Sequence, residues 1–277
     1  MVHFNKKFMV NGKTYNVNGE RFESISEFKK TNASRKKLRN SFDPDDIDTD
    51  FTGVKSYDEA VNLLTTGYKE ALENFNTLLK LRGNDKKKVT FKNDVQGFVP
   101  IVPHAIMGLP QSMINTHITK IKTPVIDIYY DPRFSCGADR SNFIDAGKKM
   151  LSSIFQLEKS GIKINLYYCN FKTEKSSSYL DVCVLKLKDS NRPLDINRIT
   201  FPIAHPAMLR VFSFEWMSKV PNGTYRDGYG DGFVVSYNKN IRKNIIDNTF
   251  GKNARYFHAE DVYDMSIDNI IEVIKNG

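Results

Sequence analysis

Asp131 and Ser135, in the run Asp131-Pro-Arg-Phe-Ser135, are the residues of this chain best placed to do chemistry. A carboxylate and a hydroxyl in one loop, just beyond a buried strand, can hold a hard divalent cation such as Mg²⁺ or Mn²⁺ through oxygen ligands. Arg133 stands between them, and a guanidinium there would occupy or repel a cation site. His205 lies close to Arg210, and His258 lies close to Glu260 and Asp261. A histidine beside carboxylates could do acid–base work. None of the five histidines has paired-ligand spacing, however, and no serine sits in a nucleophile elbow. The glycine-rich run 221–232 precedes a predicted strand and lacks the Walker lysine, so it reads as a long turn. No catalytic set emerges.

The elements that must position the Asp loop are legible. Val125-Ile-Asp-Ile-Tyr-Tyr-Asp131 reads as a strand. Phe143, Ala146, Gly147, Met150, Leu151, Ile154, Phe155 and Leu157 recur at helical spacing, with Gly161 as the stop. Ile162–Phe171 is a second strand, Ser176–Ser178 a turn and Tyr179–Lys188 a further strand. The unit places a candidate site at the carboxyl end of a strand, where α/β proteins build theirs. The segment 194–220 contains Pro202 and Pro206 and is predicted to be broken into helical pieces. Strands are predicted at 232–237 and around 255–263. Ser266 then caps a last helix with Ile267, Ile270, Ile271 and Ile274 on one face.

Toward the N-terminus, Asn11-Gly12 between apolar flanks predicts a hairpin, because both turn positions favour positive φ. Ser24 and Glu27 form a capping box, as do Ser56 and Glu59. The second box opens a helix whose apolar positions, from Ala60 and Leu64 through Tyr68 to Leu79, run for about six turns. Residues 32–52 are first basic, then acidic, and read as a linker or surface excursion. Three prolines interrupt the apolar segment 98–114, which is expected to lie as an extended strap on the core.

At 277 residues, with 40% hydrophobic and 26% charged residues, the chain is long enough for one large domain or two modest ones. Nothing approaches the ~18 consecutive apolar residues of a membrane span, and no signal peptide is expected. Cys136, Cys169 and Cys183 are odd in number and lack metal spacing, so a reducing, cytosolic history is expected. The net charge of +9 permits contact with a polyanion. Arg35, Lys36 and Lys37, then Lys86, Lys87 and Lys88, are the candidate nucleic-acid-binding residues, with Lys239–Lys243 as a further basic stretch. Phe91 and Tyr237 lie near enough to stack on bases.

From residue 120 onward the chain resembles the von Willebrand factor A-type fold. The likeness lies in the order strand, Asp loop, helix, strand pair, with Asp131 and Ser135 on two positions of that family's Asp-x-Ser-x-Ser loop. Arg133 replaces the first Ser, so the resemblance implies a degenerate metal site. The strap 99–110 and the run Phe201-Pro-Ile-Ala-His-Pro-Ala-Met-Leu-Arg210 also resemble an uncharacterised family of tailed-bacteriophage proteins. That likeness implies a viral source, in the host cytoplasm or the virion, and no assigned activity.

The expected architecture is therefore α/β. Residues 116–277 would form a Rossmann-like, A-type sheet flanked by helices. Residues 1–115, a hairpin, a long helix and the strap, would pack on it. The expected function is non-enzymatic interaction with a protein partner at the C-terminal edge of the sheet, through Arg133, Asp139 and Arg140, without a membrane. The alternatives are RNA or DNA binding, and a metal-dependent enzyme using Asp131, Ser135 and an acid from 227–231. The cofactor expectation is none, or a divalent cation.

Overall fold

The structure, a computed structural model, describes residues 1–36, 43, 46–69, 87–120, 125–134, 137–173, 178–220 and 238–276. The chain opens with β1 (Val2–Val10) and β2 (Lys13–Phe22), joined by Asn11 and Gly12 at φ 51° and 78°. These are the positive dihedrals that a tight hairpin turn requires. Helix α1 (Ile25–Ser34) follows, with the Ser24 hydroxyl accepting from the Glu27 amide. After the short α2 (Thr49–Thr52), Ser56 caps α3 (Tyr57–Thr66) in the same way.

Here the structure departs from the sequence pattern. α3 ends at Thr66, because Gly67 turns the backbone to φ 88° and closes on the Leu63 carbonyl. A Cβ at Gly67 would fall 1.9 Å from the Asn197 carbonyl oxygen, so the break is also a close chain crossing. The apolar periodicity continues through Tyr68, whose ring is buried, but the helix does not. Residues 70–86 lie outside the described residues.

Next comes a small sheet of β3 (Lys87–Asp94), β4 (Val99–Pro100) and β5 (Met113–Lys120), in the order β3-β5-β4, with α4 (Val102–Ile106) between β4 and β5. The strap expected on the core thus forms a sheet and helix of its own, and its apolar side chains face outward. Ile106 is 81% exposed, and Phe98, Val99, Val102, Met107 and Leu109 are also exposed. Apolar content alone does not specify burial.

The main sheet follows. β6 (Val125–Asp131), α5 (Arg140–Lys159), β7 (Lys163–Thr173) and β8 (Tyr179–Lys188) appear as expected. α6 (Ile196–Ala204) leads into a π-helical turn, Met208–Ser213, and α7 (Phe214–Lys219). Then come α8 (Lys239–Phe250), β9 (Arg255–His258), α9 (Ala259–Asp264) and α10 (Ile267–Asn276). β9 is shorter than the predicted strand, because the His258 side chain accepts from the Glu260 amide and starts α9.

The sheet order is β1-β2-β8-β7-β6-β9. β7, β6 and β9 are mutually parallel, β8 is antiparallel to β7, and β2 is parallel to β8. The N-terminal hairpin is therefore two strands of the main sheet rather than a unit packed against it. Alternate residues of β6 and β7 serve opposite faces. Ile128, Tyr130, Leu166 and Tyr168 join the core under α5, α6 and α7. Tyr129, Tyr167, Cys169 and Phe171 join the core under α8.

Every residue from Met208 to Lys219 is buried. The polar ones are satisfied. Lys219 Nζ lies 2.6 Å from Glu215 Oε1 and 2.5 Å from the Asn32 carbonyl, and Tyr57 Oη donates to Glu215 Oε2 at 2.9 Å. A buried ion pair is tolerable when its remaining donors and acceptors are met. Among the described residues, no helix is long and apolar enough to cross a membrane.

Candidate functional site

β6 delivers Asp131 to the carboxyl end of the sheet, and burial there is complete. The chain then turns through Pro132, Arg133 and Phe134, all buried. Arg133 folds back on Asp131. Its Nε lies 3.1 and 3.2 Å from the two carboxylate oxygens, its Nη2 donates to Oδ2 at 2.8 Å, and its backbone N–H reaches Oδ1 at 3.2 Å. The Tyr256 hydroxyl, from neighbouring β9, donates to Oδ2 at 2.9 Å. Bidentate contacts of this kind are among the stronger hydrogen bonds in proteins.

The electrostatics follow from the geometry. Burial alone would raise the Asp131 carboxyl. The Arg133 charge and hydrogen bonds, with His258 and the Tyr256 hydroxyl, override it and hold the group below its ordinary value. His258, paired in register with Asp131 across β6 and β9, is itself held below its ordinary value, chiefly by burial. Burial drives the Tyr256 hydroxyl upward, so it stays a proton donor.

Cation binding would need free oxygen lone pairs on Asp131. Those lone pairs are engaged by a positive side chain, a backbone amide and a hydroxyl, so the arrangement does not fit a divalent ion. Ser135 lies outside the described residues. Among the described residues, no group of three or more His, Cys, Asp or Glu could hold a metal ion.

A second cluster lies beside the loop. Asp139 and Arg140 open α5 and are exposed. Arg140 Nη2 donates to the Tyr68 hydroxyl at 2.9 Å. The Tyr68 ring meets His205 edge-on at 4.6 Å, and His205 stacks on Phe201 at 5.0 Å. Burial, then the nearby Arg140 charge, pushes His205 down to about 3. It is therefore neutral, with Nδ1 accepting the Ala207 amide at 3.1 Å. Arg210 bonds the carbonyls of Phe51 at 2.5 Å and Ala138 at 2.9 Å, and its guanidinium lies over the Phe51 and Phe143 rings. It pins the loop that presents Asp139 and Arg140.

The expected site residues are thus separated. Asp131 and Arg133 form one buried pair; Asp139 and Arg140 sit at the surface of the same edge. Arg35 is held bidentately by Glu20 at 2.8 and 2.9 Å, and Glu20 also accepts from Trp216 Nε1. That fork is used inside the fold, whereas Lys36 is exposed. Lys37 and Lys86 lie outside the described residues, and Lys87 and Lys88 are described only as β3 backbone. In the 239–243 stretch, Lys239, Arg242 and Lys243 line a groove of about 650 Å³ with Lys252 and Arg255, but also with Asp247, Asp261 and Asp264. Tyr237 is outside the described residues. Sequence reasoning missed Tyr256 and Tyr68 as site members. Each looks like core, and only the neighbouring chain supplies its polar partner.

The buried thiols of Cys169 and Cys183 are pushed well above their ordinary value by burial, so neither is a ready nucleophile. Searches of curated proteins and of solved structures return no match to the chain. One family model matches residues 10–256, from the hairpin turn through β2, the small sheet and the Asp loop to the start of β9. This chain belongs to that family, described as a domain of unknown function, DUF7192.

Proposed function

We propose that this chain is a non-enzymatic interaction protein of phage origin. Its protein partner docks on the C-terminal edge of the sheet, around Asp139 and Arg140. In this reading the Asp loop belongs to a degenerate A-type domain, in which an internal guanidinium has taken the place of a divalent cation. One observation carries the proposal: the buried, bidentate Arg133–Asp131 pair. The succession β6, Asp loop, α5, β7–β8 supports the A-type reading. A contact edge built this way would not depend on metal.

The test is thermal unfolding with and without Mg²⁺, Mn²⁺ and Ca²⁺. A ligand that binds only the folded state raises the midpoint by mass action. The midpoint of the wild-type protein is expected to stay unchanged. A metal-dependent rise that disappears in Asp131→Ala would overturn the reading. A partner of the edge should be retained in EDTA and released by Arg140→Glu.

A second reading, nucleic-acid binding, is favoured by the five cations around the groove at α8 and β9. It requires an affinity that falls steeply with salt, because phosphate neutralisation releases counterions. Absence of binding to RNA and DNA at low salt would end it.

A further inference from the structure

The small sheet of β3, β5 and β4 has no seat on the rest of the molecule. None of its described side chains is buried, and none joins either core of the main sheet. The β3–β5 ladder runs from the rung Lys87↔Lys120 to the rung Asp94↔Met113, and residues 95–112 connect the two strands at that second end. There Val99 and Pro100 pair back onto Ile114 and Met113. The Phe98 amide donates to the Ile114 carbonyl at 3.0 Å, and the Ile101 amide to the Ser112 carbonyl at 2.7 Å. A Cβ at Gly97 would fall 2.1 Å from the Ile114 carbonyl oxygen, so glycine lets the chain cross close against the ladder. The connection is thereby gathered into one tip. It exposes Val95, Phe98, Val102, Ile106, Met107 and Leu109. Between Asp94 and Lys120 the chain contains no Asp, Glu, Lys or Arg.

Behind the tip the ladder is cationic. Opposed residues share a face, and successive residues alternate between faces. Lys87 and Lys120 therefore stand on the face of Phe91, and Lys88 and Lys92 on the other. The one acid of the ladder, Asp94, pairs with His117 at 3.4 Å and accepts from Asn115 at 3.3 Å.

We propose that this tip is a membrane-docking element, which seats its apolar side chains in the surface of a bilayer containing anionic phospholipid. The proposal does not rest on the Asp-loop reading, and seating in a surface needs no helix long enough to span it. Three observations favour a bilayer. First, the tip is apolar and free of Asp, Glu, Lys and Arg, so it enters the acyl boundary without taking an ionised side chain out of water. Second, the lysines lie on both faces of the ladder. A headgroup layer surrounds an arm that enters it end-on and meets the cations of both faces, whereas a protein docked on one face would leave the other pair unused. Third, Lys92 stands two rungs, about 7 Å, behind the last rung. That is headgroup depth when the tip lies in the acyl boundary. Lys87, Lys88 and Lys120 follow farther back, where they act through the attraction of basic segments to an anionic surface.

The experiment is co-sedimentation of the full chain with vesicles of phosphatidylcholine alone, and of phosphatidylcholine mixed with phosphatidylglycerol. The chain is expected to bind the mixed vesicles about tenfold more tightly than the neutral ones. Ile106→Asp and, separately, Val102→Asp should each weaken binding to the mixed vesicles by about tenfold or more, because each sets a charge in the acyl boundary. Both positions are exposed, so the circular dichroism spectrum should not change, and either variant gives the reading if the other does not fold. Lys92→Glu should weaken binding to the mixed vesicles and leave binding to the neutral ones as it was. Absence of binding to either vesicle overturns the proposal. So does binding to the mixed vesicles that both Asp variants retain, which would assign it to cations elsewhere on the chain. A chain that ignores vesicles and sediments as a dimer split by Ile106→Asp also overturns it, and gives the tip to a second copy.

Discussion

Tyr256 on β9 holds its hydroxyl 2.9 Å from Oδ2 of Asp131 on β6, so adjacent parallel strands are tied by a side-chain bond at the oxygen that Arg133 also contacts. The carboxylate is the hub of a network in which Asp131 and Arg133 are buried and Tyr256 is half-buried, and its members should not behave additively.

Removing one member of that network should be worse than removing the pair. Asp131→Leu leaves the Arg133 guanidinium buried and uncompensated, which costs about 3–5 kcal/mol. Arg133→Met strands the carboxylate at a similar cost. The double variant is expected to be less destabilised than the sum of the singles, and Tyr256→Phe should lose about 1–2 kcal/mol. Urea unfolding followed by the fluorescence of Trp216, the only tryptophan and a buried one, measures all four. Strict additivity would remove the network from the account.

Acid should weaken the fold in two stages. His205 titrates at about 3 when folded, against ~6.5 when unfolded. Below pH ~6.5 the unfolded chain binds a proton that the folded chain does not. Stability is therefore whole above that pH and falls as pH drops toward 3, by about 1.4 kcal/mol per pH unit for this one group. His258 is shifted the same way and adds to the slope. Asp131 is held below its ordinary value, so its contribution is present above pH ~3.9 and is lost only as pH falls further. Urea midpoints at pH 7, 5.5 and 4.5 should decline in wild type, and less steeply in His205→Gln.

Helices α5 and α6 touch at Gly147. A Cβ there would lie 2.5 Å from the Ala204 Cβ and 2.6 Å from its Cα, so the backbones approach as closely as glycine allows. Gly147→Ala should cost about 1–3 kcal/mol through overpacking, despite the higher helix propensity of alanine. Ala204→Gly added to it should recover part of the loss. An increase in the urea midpoint on Gly147→Ala would contradict the packing described.

In a Cys136→Ser background, the two remaining thiols, Cys169 and Cys183, should resist alkylation at pH 8 until denaturant is added. Both are buried, and burial holds both in the protonated form. Rapid labelling of the native protein would show that the sheet opens locally.

Much of the fold could be read from local pattern. The Asn11-Gly12 turn, the Ser24 and Ser56 caps, the unit β6-α5-β7 and the last helix all depend on residues close in sequence. What failed depends on distant ones. Tyr68 keeps helical spacing, yet Gly67 meets Asn197, and only that crossing explains the break. Arg35 looks like a solvated basic run until Glu20 is seen across from it. Within the candidate site, Asp131 and the interfering Arg133 were legible. Tyr256 was not, because an apolar strand pattern hides which phenol has a carboxylate as its neighbour.

The pairing of β2 with β8 sets a condition on how the chain reaches this state. Asn16 pairs with Tyr179 and Phe22 with Leu185, so more than half of the chain separates the partners. The hairpin forms early from its own turn, but one of its edges waits for strands synthesised much later. Such high contact order slows folding and leaves an unpaired strand exposed in the interval. The hairpin β1–β2, the simplest part of the fold to predict, is thus where the nascent chain is most open to pairing with a stranger.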